Sequence, residues 1–269
     1  MTLHLGRRGP GHQARTDVGV AGEPQAGFSP EAEALFARFT VEPDVARKGL
    51  LDDLIAALKD AGVWTLLEGF YVLAAHDAQA ARQNWRADVY NLTPVNGPAF
   101  TTDRGYVGDG ASAHLDTGFD ITTESALWDA DASMCLGGYL AENPVGSQPY
   151  LGRSGLGNLS MRTPDGAQWI SRIMRASDTV RTTGLTTGTF AIRRTSPVDV
   201  ATYVNGAEQT GAATAATPTA ATLVGLRAGT GYSTGRLAAM FFGSGAITEA
   251  QHAAIHGALL AYLTALGAD

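Results

Sequence analysis

The stretch from Asp199 to Leu266 constrains the fold more than any other, because it sets three kinds of element in a fixed order. The alternating run Val200-Ala201-Thr202-Tyr203-Val204 leads into Asn205-Gly206, the dipeptide that most readily takes the positive φ values of a two-residue type I′ hairpin turn. Thr222 to Leu226 and Gly235 to Phe242 give two more short β-type runs, separated by the glycine-rich Arg227 to Thr234. A helix follows. Thr248 with Gln251 three residues on forms a capping box, and His252, Ile255, Leu259, Tyr262, Leu263 and Leu266 recur at helical spacing until Gly267. With 33 glycines for turns and many threonines suited to pleated backbone, this order predicts a β-sandwich rather than a helix bundle.

Composition narrows the class. The 269 residues, 45% hydrophobic, suffice for one large sandwich with additions or for two modest domains. No run of about 18 uncharged apolar residues occurs, so no membrane-spanning helix is expected, and Arg7 and Arg8 lead into no apolar signal-peptide region. A formal charge of -7 argues against a nucleic-acid binder, which needs clustered Lys and Arg. Cys135 is the single cysteine, so no internal disulfide holds the fold.

Along the chain, Met1 to Phe28 is glycine-rich and poor in large apolar residues, and reads as an arm. It is either a disordered tail or an extended peptide that lies on a neighbouring subunit. Ser29-Pro30-Glu31 starts a short helix, and Arg47 to Ala61 makes a longer one. On the latter, Leu50, Leu51, Leu54, Ile55 and Leu58 form one apolar face, expected to dock on the edge of the sandwich. Residues 29–62 are thus a helical segment and 63–269 the sandwich with its terminal helix. Phe70 to Ala75 reads as a buried strand, and strands are expected over Ser133–Tyr139, Asn158–Thr163, Gln168–Met174 and Thr189–Arg194. Ala141 to Gly157 and Ala176 to Gly188 read as irregular loops.

At these residues the chain resembles the closing half of a laminin-G-like, concanavalin-A-like jelly roll. Tyr203 to Gly206 match its Tyr-Val-Asn-Gly hairpin, Leu223 to Gly225 its Leu-x-Gly strand, Gly235 to Ala238 its Gly-x-Ile/Leu-Ala strand, and Ile247 to Gln251 its short helix start. Gly108 to Gly118 resembles the opening Gly-Asp-Gly-x-x-x-x-Leu-Asp-Thr-Gly of the same family, so the resemblance covers about Asp103 to Leu266. Arg47 to Trp85, with Leu-Lys-x-Ala-Gly-Val-Trp and Tyr-Val-Leu-Ala-Ala-His-Asp-Ala-Gln-Ala-Ala-Arg-x-Asn-Trp, resembles the segment ahead of this sandwich in tail, fibre and spike proteins of tailed bacteriophages and related gene transfer particles. The resemblance implies a jelly-roll sandwich in a virion component made in the host cytoplasm. Its arm would contact other virion proteins, and it would work as a homo-oligomer within the particle.

The candidate chemistries are sparse. Hydrolases on the jelly roll carry Glu-x-Asp-x-x-Glu, a facing carboxylate pair. Here the nearest acids are Glu124, Asp129 and Asp131, without a third acid at the right offset. His76-Asp77 has no nucleophile elbow to serve, and Cys135 lies in no motif. His252 and His256 stand at i and i+4 but lack the Glu of His-Glu-x-x-His. No cofactor is expected; calcium sites occur in laminin-G-like domains, where Asp116 or Asp120 would supply carboxylate oxygens. Gly152 to Gly157 imitates a phosphate loop without the Lys-Ser/Thr that completes one. That loop, with Trp128, Tyr139, Tyr150, Arg153 and Trp169, offers aromatic faces and a guanidinium for sugar, against the competing reading of the tryptophans as core. Three functions follow: a non-enzymatic virion subunit binding host cell-surface polysaccharide, a purely structural decoration subunit, and a glycan hydrolase. The missing acid pair favours the first two, so no enzymatic activity is expected.

Overall fold

A computed structural model describes residues 27–129, 133–144, 146–155, 158–165, 168–175, 177–212 and 216–268. The expected arm therefore lies outside the described residues, apart from Gly27 and Phe28. Two helices come first, α1 (Pro30–Phe36) and α2 (Val45–Asp60). Then follow β1 (Leu67–Val72), β2 (Thr93–Val95), β3 (Ala99–Thr101), β4 (Gly105–Val107), β5 (His114–Asp120) and β6 (Met134–Glu142). Next are β7 (Pro149–Arg153), β8 (Leu159–Arg162), β9 (Gln168–Ile173), β10 (Thr179–Thr182), β11 (Gly188–Ser196) and β12 (Asp199–Val204). The chain ends with β13 (Ala207–Ala212), β14 (Thr222–Gly225), β15 (Arg227–Ala228), β16 (Gly231–Tyr232), β17 (Arg236–Gly243) and α3 (Glu249–Ala265).

The strands build two antiparallel sheets, so the expected β-sandwich is the fold. The first sheet runs β13-β12-β11-β6-β17-β4-β3, with β1 pairing β17 alongside β4. The second runs β10-β9-β8-β7-β14-β5-β2, and β15 and β16 form a separate hairpin. Strand alternation sorts the side chains: Phe190, Ile192, Val200 and Val204 point between the sheets, while Ala191, Ala201 and Tyr203 point to the far side of the first sheet. Between the sheets lie Trp128, Trp169, Phe119, Phe242 and Met240, all buried. Burying each such side chain contributes on the order of 1.5–3 kcal/mol, which makes this layer the main source of stability.

A second core covers the outer face of the first sheet. Leu51, Leu54, Ile55 and Leu58 of α2 share it with Ile255, Leu259 and Leu263 of α3 and with Phe241 and Cys135 of the sheet. The apolar face of α2 therefore docks on α3 within a helical layer, not on the sandwich edge. Arg47 fixes the arrangement, donating to Asp103 Oδ1 at 2.7 Å and to the Tyr262 hydroxyl at 3.3 Å, which itself donates to the Ala74 carbonyl at 3.2 Å. The caps form as the sequence predicts. Ser29 Oγ accepts from the Ala32 amide, and Thr248 and Gln251 make both bonds of the capping box.

The Asn205-Gly206 turn also forms as expected, with φ values of 49° and 85° and Val204 opposite Ala207. The loop expectations are corrected in part. Within 141–157 the chain makes β7, hydrogen-bonded between β8 and β14, and within 176–188 it makes β10 at the sheet edge. Neighbouring strands supply partners for backbone that local sequence, rich in Gly and Pro, leaves irregular.

Candidate functional site

Helices cover the outer face of the first sheet, so the open face of the sandwich is the outer side of the second. There the alternation in Leu159-Ser160-Met161-Arg162 buries Leu159 and Met161 and turns Ser160 and Arg162 outward. On the neighbouring strand, Trp169, Ser171 and Ile173 are buried and Arg172 points out, directly opposite Ser160 in the register. Arg162 is one diagonal step from Arg172, a spacing of about 7–8 Å between backbones.

A wall rises beside these residues. The β15–β16 hairpin lies over β7, tied down by Leu226 N–H donating to the Tyr150 carbonyl at 2.6 Å and by Gly229 N–H donating to the Arg153 carbonyl at 2.9 Å. The close approach depends on Gly152: a Cβ there would stand 2.6 Å from Ala228 Cβ and 2.5 Å from the Leu159 carbonyl oxygen. Between hairpin and sheet runs a groove of about 320 Å³, lined by Pro149, Ser160, Arg162, Arg172, Asp178 and Thr230 among others. Its arginines are positioned rather than free to sweep. Arg162 donates through Nε to Ser147 Oγ at 3.1 Å and through one terminal nitrogen to the Ser147 carbonyl at 2.7 Å. Arg172 meets Asp178 Oδ1 with Nε at 2.9 Å and with a terminal nitrogen at 2.8 Å.

On the far flank of the hairpin, Arg227 stacks on Tyr232 at 5.2 Å from the ring centre and donates to His114 Nε2 at 3.3 Å. His114 Nδ1 in turn donates to the Ser112 carbonyl at 2.9 Å. A partly exposed tyrosine with a polar tip thus sits on the same hairpin as Thr230.

The five residues expected to hold sugar lie elsewhere. Trp128, Tyr150 and Trp169 are fully buried between the sheets, Tyr139 is buried under the helical layer, and Arg153 is 5% exposed. Trp128 Nε1 donates to the Ile121 carbonyl at 3.0 Å, and Trp169 packs on Phe190 at 5.2 Å. Arg153 donates to Thr219 Oγ1 at 2.6 Å. The expectation that Tyr150 and Arg153 project from a rim loop is corrected: they belong to β7, whose register with β8 shifts between Pro149 and Leu151, and both side chains are buried. Ser160, Arg162 and Arg172 went unnoticed, although polar residues at alternate positions between apolar ones mark a sheet face open to water. Tyr232 stood in a stretch read only as a glycine-rich separator.

The other candidate chemistries do not converge. Asp116 accepts from the Gly118 amide and the Thr222 hydroxyl, and Asp120 from the amide and hydroxyl of Thr122. Among the described residues no three His, Cys, Asp or Glu side chains gather as a metal site. His252 stacks on Tyr203 while His256 bonds Thr189 Oγ1, so the i, i+4 pair shares no point. Cys135 lies 3.8 Å from His252 Nε2, and burial pushes its thiol up and the imidazole down to about 3, so neither is charged near neutrality. His76 Nε2 donates to the Val41 carbonyl at 2.8 Å and lies 3.4 Å from Asp77. Asp131, the partner expected for Asp129, lies outside the described residues.

No family model matches the sequence, and no curated protein is similar to it. Solved structures do share the fold. Trypanosoma rangeli sialidase superposes with a TM-score of 0.51 at 11% identity, covering 79% of this chain and 39% of that one. The same sialidase in complex with 2,3-difluorosialic acid, a covalent intermediate, gives 0.50 at 11%, covering 78% and 38%. Domain 4 of a GH43 extracellular arabinanase from Geobacillus stearothermophilus, in complex with arabinotriose, gives 0.45 at 15%, covering 71% and 98%. The chain thus spans about two fifths of the length of the sialidases it matches. The sialidase matches overturn the expectation of a protein without enzymatic activity, because part of an enzyme's chain shares this fold.

Proposed function

We propose that the groove between the β15–β16 hairpin and the open face of β8 and β9 is a glycan-recognition site. The observation that carries this reading is the groove itself: Ser160, Thr230, Arg162, Arg172 and Asp178 converge on one concave strip of the face that the helices leave bare. Sugar recognition needs fixed donors and acceptors matched to hydroxyl groups, and two arginines already held by Ser147 and Asp178 lose little further freedom on binding. That the fold recurs in sialidases supports a glycan as ligand, and recognition of the sugar is common to binding and to turnover.

The resemblance over Arg47 to Trp85 supports a place for the chain in a tailed-phage or gene transfer particle, attached through its amino-terminal part. The groove lies on the face opposite the helical layer and so would point outward. Glycan-array binding and polysaccharide turnover by the full chain test the site. Ser160→Trp, which fills the groove from a half-buried position on its floor, is expected to abolish array binding while the chain still folds cooperatively. Unaltered binding in that variant would place the sugar site elsewhere. Immunogold labelling of purified particles tests the location, and an unlabelled particle would refute it.

A further inference from the structure

Resting on the reading of the groove as a glycan site, we infer that the sugar it takes is acidic, with a carboxylate seated on the outward guanidinium pair Arg162 and Arg172. The chain carries a formal charge of -7, yet the groove holds two arginines against one acid, Asp178. A local excess of positive charge on an acidic protein selects anions and repels from elsewhere on the surface, which fixes where an acidic sugar lands.

The geometry already contains a carboxylate on one member of this pair, Arg172. Asp178 Oδ1 receives Nε and a terminal nitrogen of Arg172 at 2.9 and 2.8 Å, so the fork is aimed along the groove at the level where Asp178 sits. Its side chains are 31% and 45% exposed, and such a water-accessible pair contributes only about 0–1 kcal/mol. A ligand carboxylate displaces Asp178 at little cost. Arg162 stands one diagonal away and spends Nε and one terminal nitrogen on Ser147; among the described residues its other terminal nitrogen has no partner. That nitrogen takes the second oxygen or a neighbouring hydroxyl, while Ser160, between the two arginines, and Thr230 on the hairpin meet the ring hydroxyls. Arg172 already holds a carboxylate through two of its nitrogens, the group that the sugar would bring.

The test uses the full chain and two oligosaccharide probes of equal length, oligogalacturonate and its neutral galactose counterpart, with a sulfated galactose oligomer as third arm. The acidic probe is expected to bind at least ten times more tightly than the neutral one, and its affinity to fall steeply between 50 mM and 500 mM salt. Arg162→Gln and Arg172→Gln should each lose about ten-fold on the acidic probe and less than two-fold on the neutral one, with Arg172→Lys also impaired because charge without the fork is insufficient. Asp178→Asn should strengthen acidic binding several-fold, a response that a merely structural ion pair would not give; melting curves confirm that each variant folds. Equal binding of acidic and neutral probes overturns the inference and leaves the groove as a neutral-sugar site. A preference for the sulfated probe overturns the carboxylate assignment. Binding of acidic probe that no groove variant alters overturns both the inference and the site.

Discussion

The imidazole of His252 lies flat on the phenol ring of Tyr203, with ring centres 3.6 Å apart and planes inclined by 21°. This contact joins α3 to β12 inside the helical layer, and it seats a titratable ring where water does not reach. Burial, with the positive charge of Arg193 second, holds the imidazole down at about 3. The unfolded chain takes up that proton near the ordinary histidine value of about 6.5. Between those values the unfolded state binds more protons than the folded one, so stability falls as pH falls. The loss begins below about pH 6.5 and runs at up to about 1.4 kcal/mol per pH unit. His252→Phe keeps a ring on Tyr203 and should flatten this slope in urea unfolding measured from pH 7 to 4; an unchanged slope would show that other groups cause the acid loss.

Gly206 does two jobs. Its φ of 85° completes the hairpin turn, and a Cβ there would stand 2.3 Å from Ala253 Cα of the terminal helix. Gly206→Val is therefore expected to destabilise by more than the roughly 1–3 kcal/mol of backbone strain alone, since the helix must also move. Gly206→Ala should fall below wild type as well. A melting temperature unchanged in either variant contradicts the packing of α3 on this turn.

Tyr150 is a core residue on β7, enclosed between the sheets. Tyr150→Ala should cost about 3–5 kcal/mol, the range for emptying a buried aromatic site. Chemical denaturation reads this directly. A change under about 0.5 kcal/mol, the scale of surface substitutions, would place Tyr150 outside the core.

Gly152→Val tests the wall of the groove, because the added side chain collides with Ala228 and with the Leu159 carbonyl oxygen. The hairpin must lift from β7, breaking the Gly229 and Leu226 amide bonds. Protease sensitivity is expected to appear near Gly229 and Thr230, with loss of glycan binding. A protected hairpin in a folded variant would show that the wall does not depend on this close approach.

What could be read from residues alone is what neighbours in the chain decide. The Asn205-Gly206 turn, the Thr248–Gln251 capping box, the Ser29 cap and the apolar face of α2 depend on positive φ, on local hydrogen bonds and on helical spacing, so they appear in structure as in sequence. The order of these pieces was enough to specify a β-sandwich with helices at both ends. Pairing decided the rest. Pro149 to Arg153 has the glycine and proline of a loop, but its register with β14 and β8 makes it a strand and buries Tyr150 and Arg153. Arg162 and Arg172 are separate polar residues in sequence and become one surface only when β8 and β9 pair with Ser160 opposite Arg172. The groove needs the β15–β16 hairpin over Gly152, a contact between residues more than seventy positions apart. Local chemistry chose the elements, and long-range burial chose which face of each one meets water.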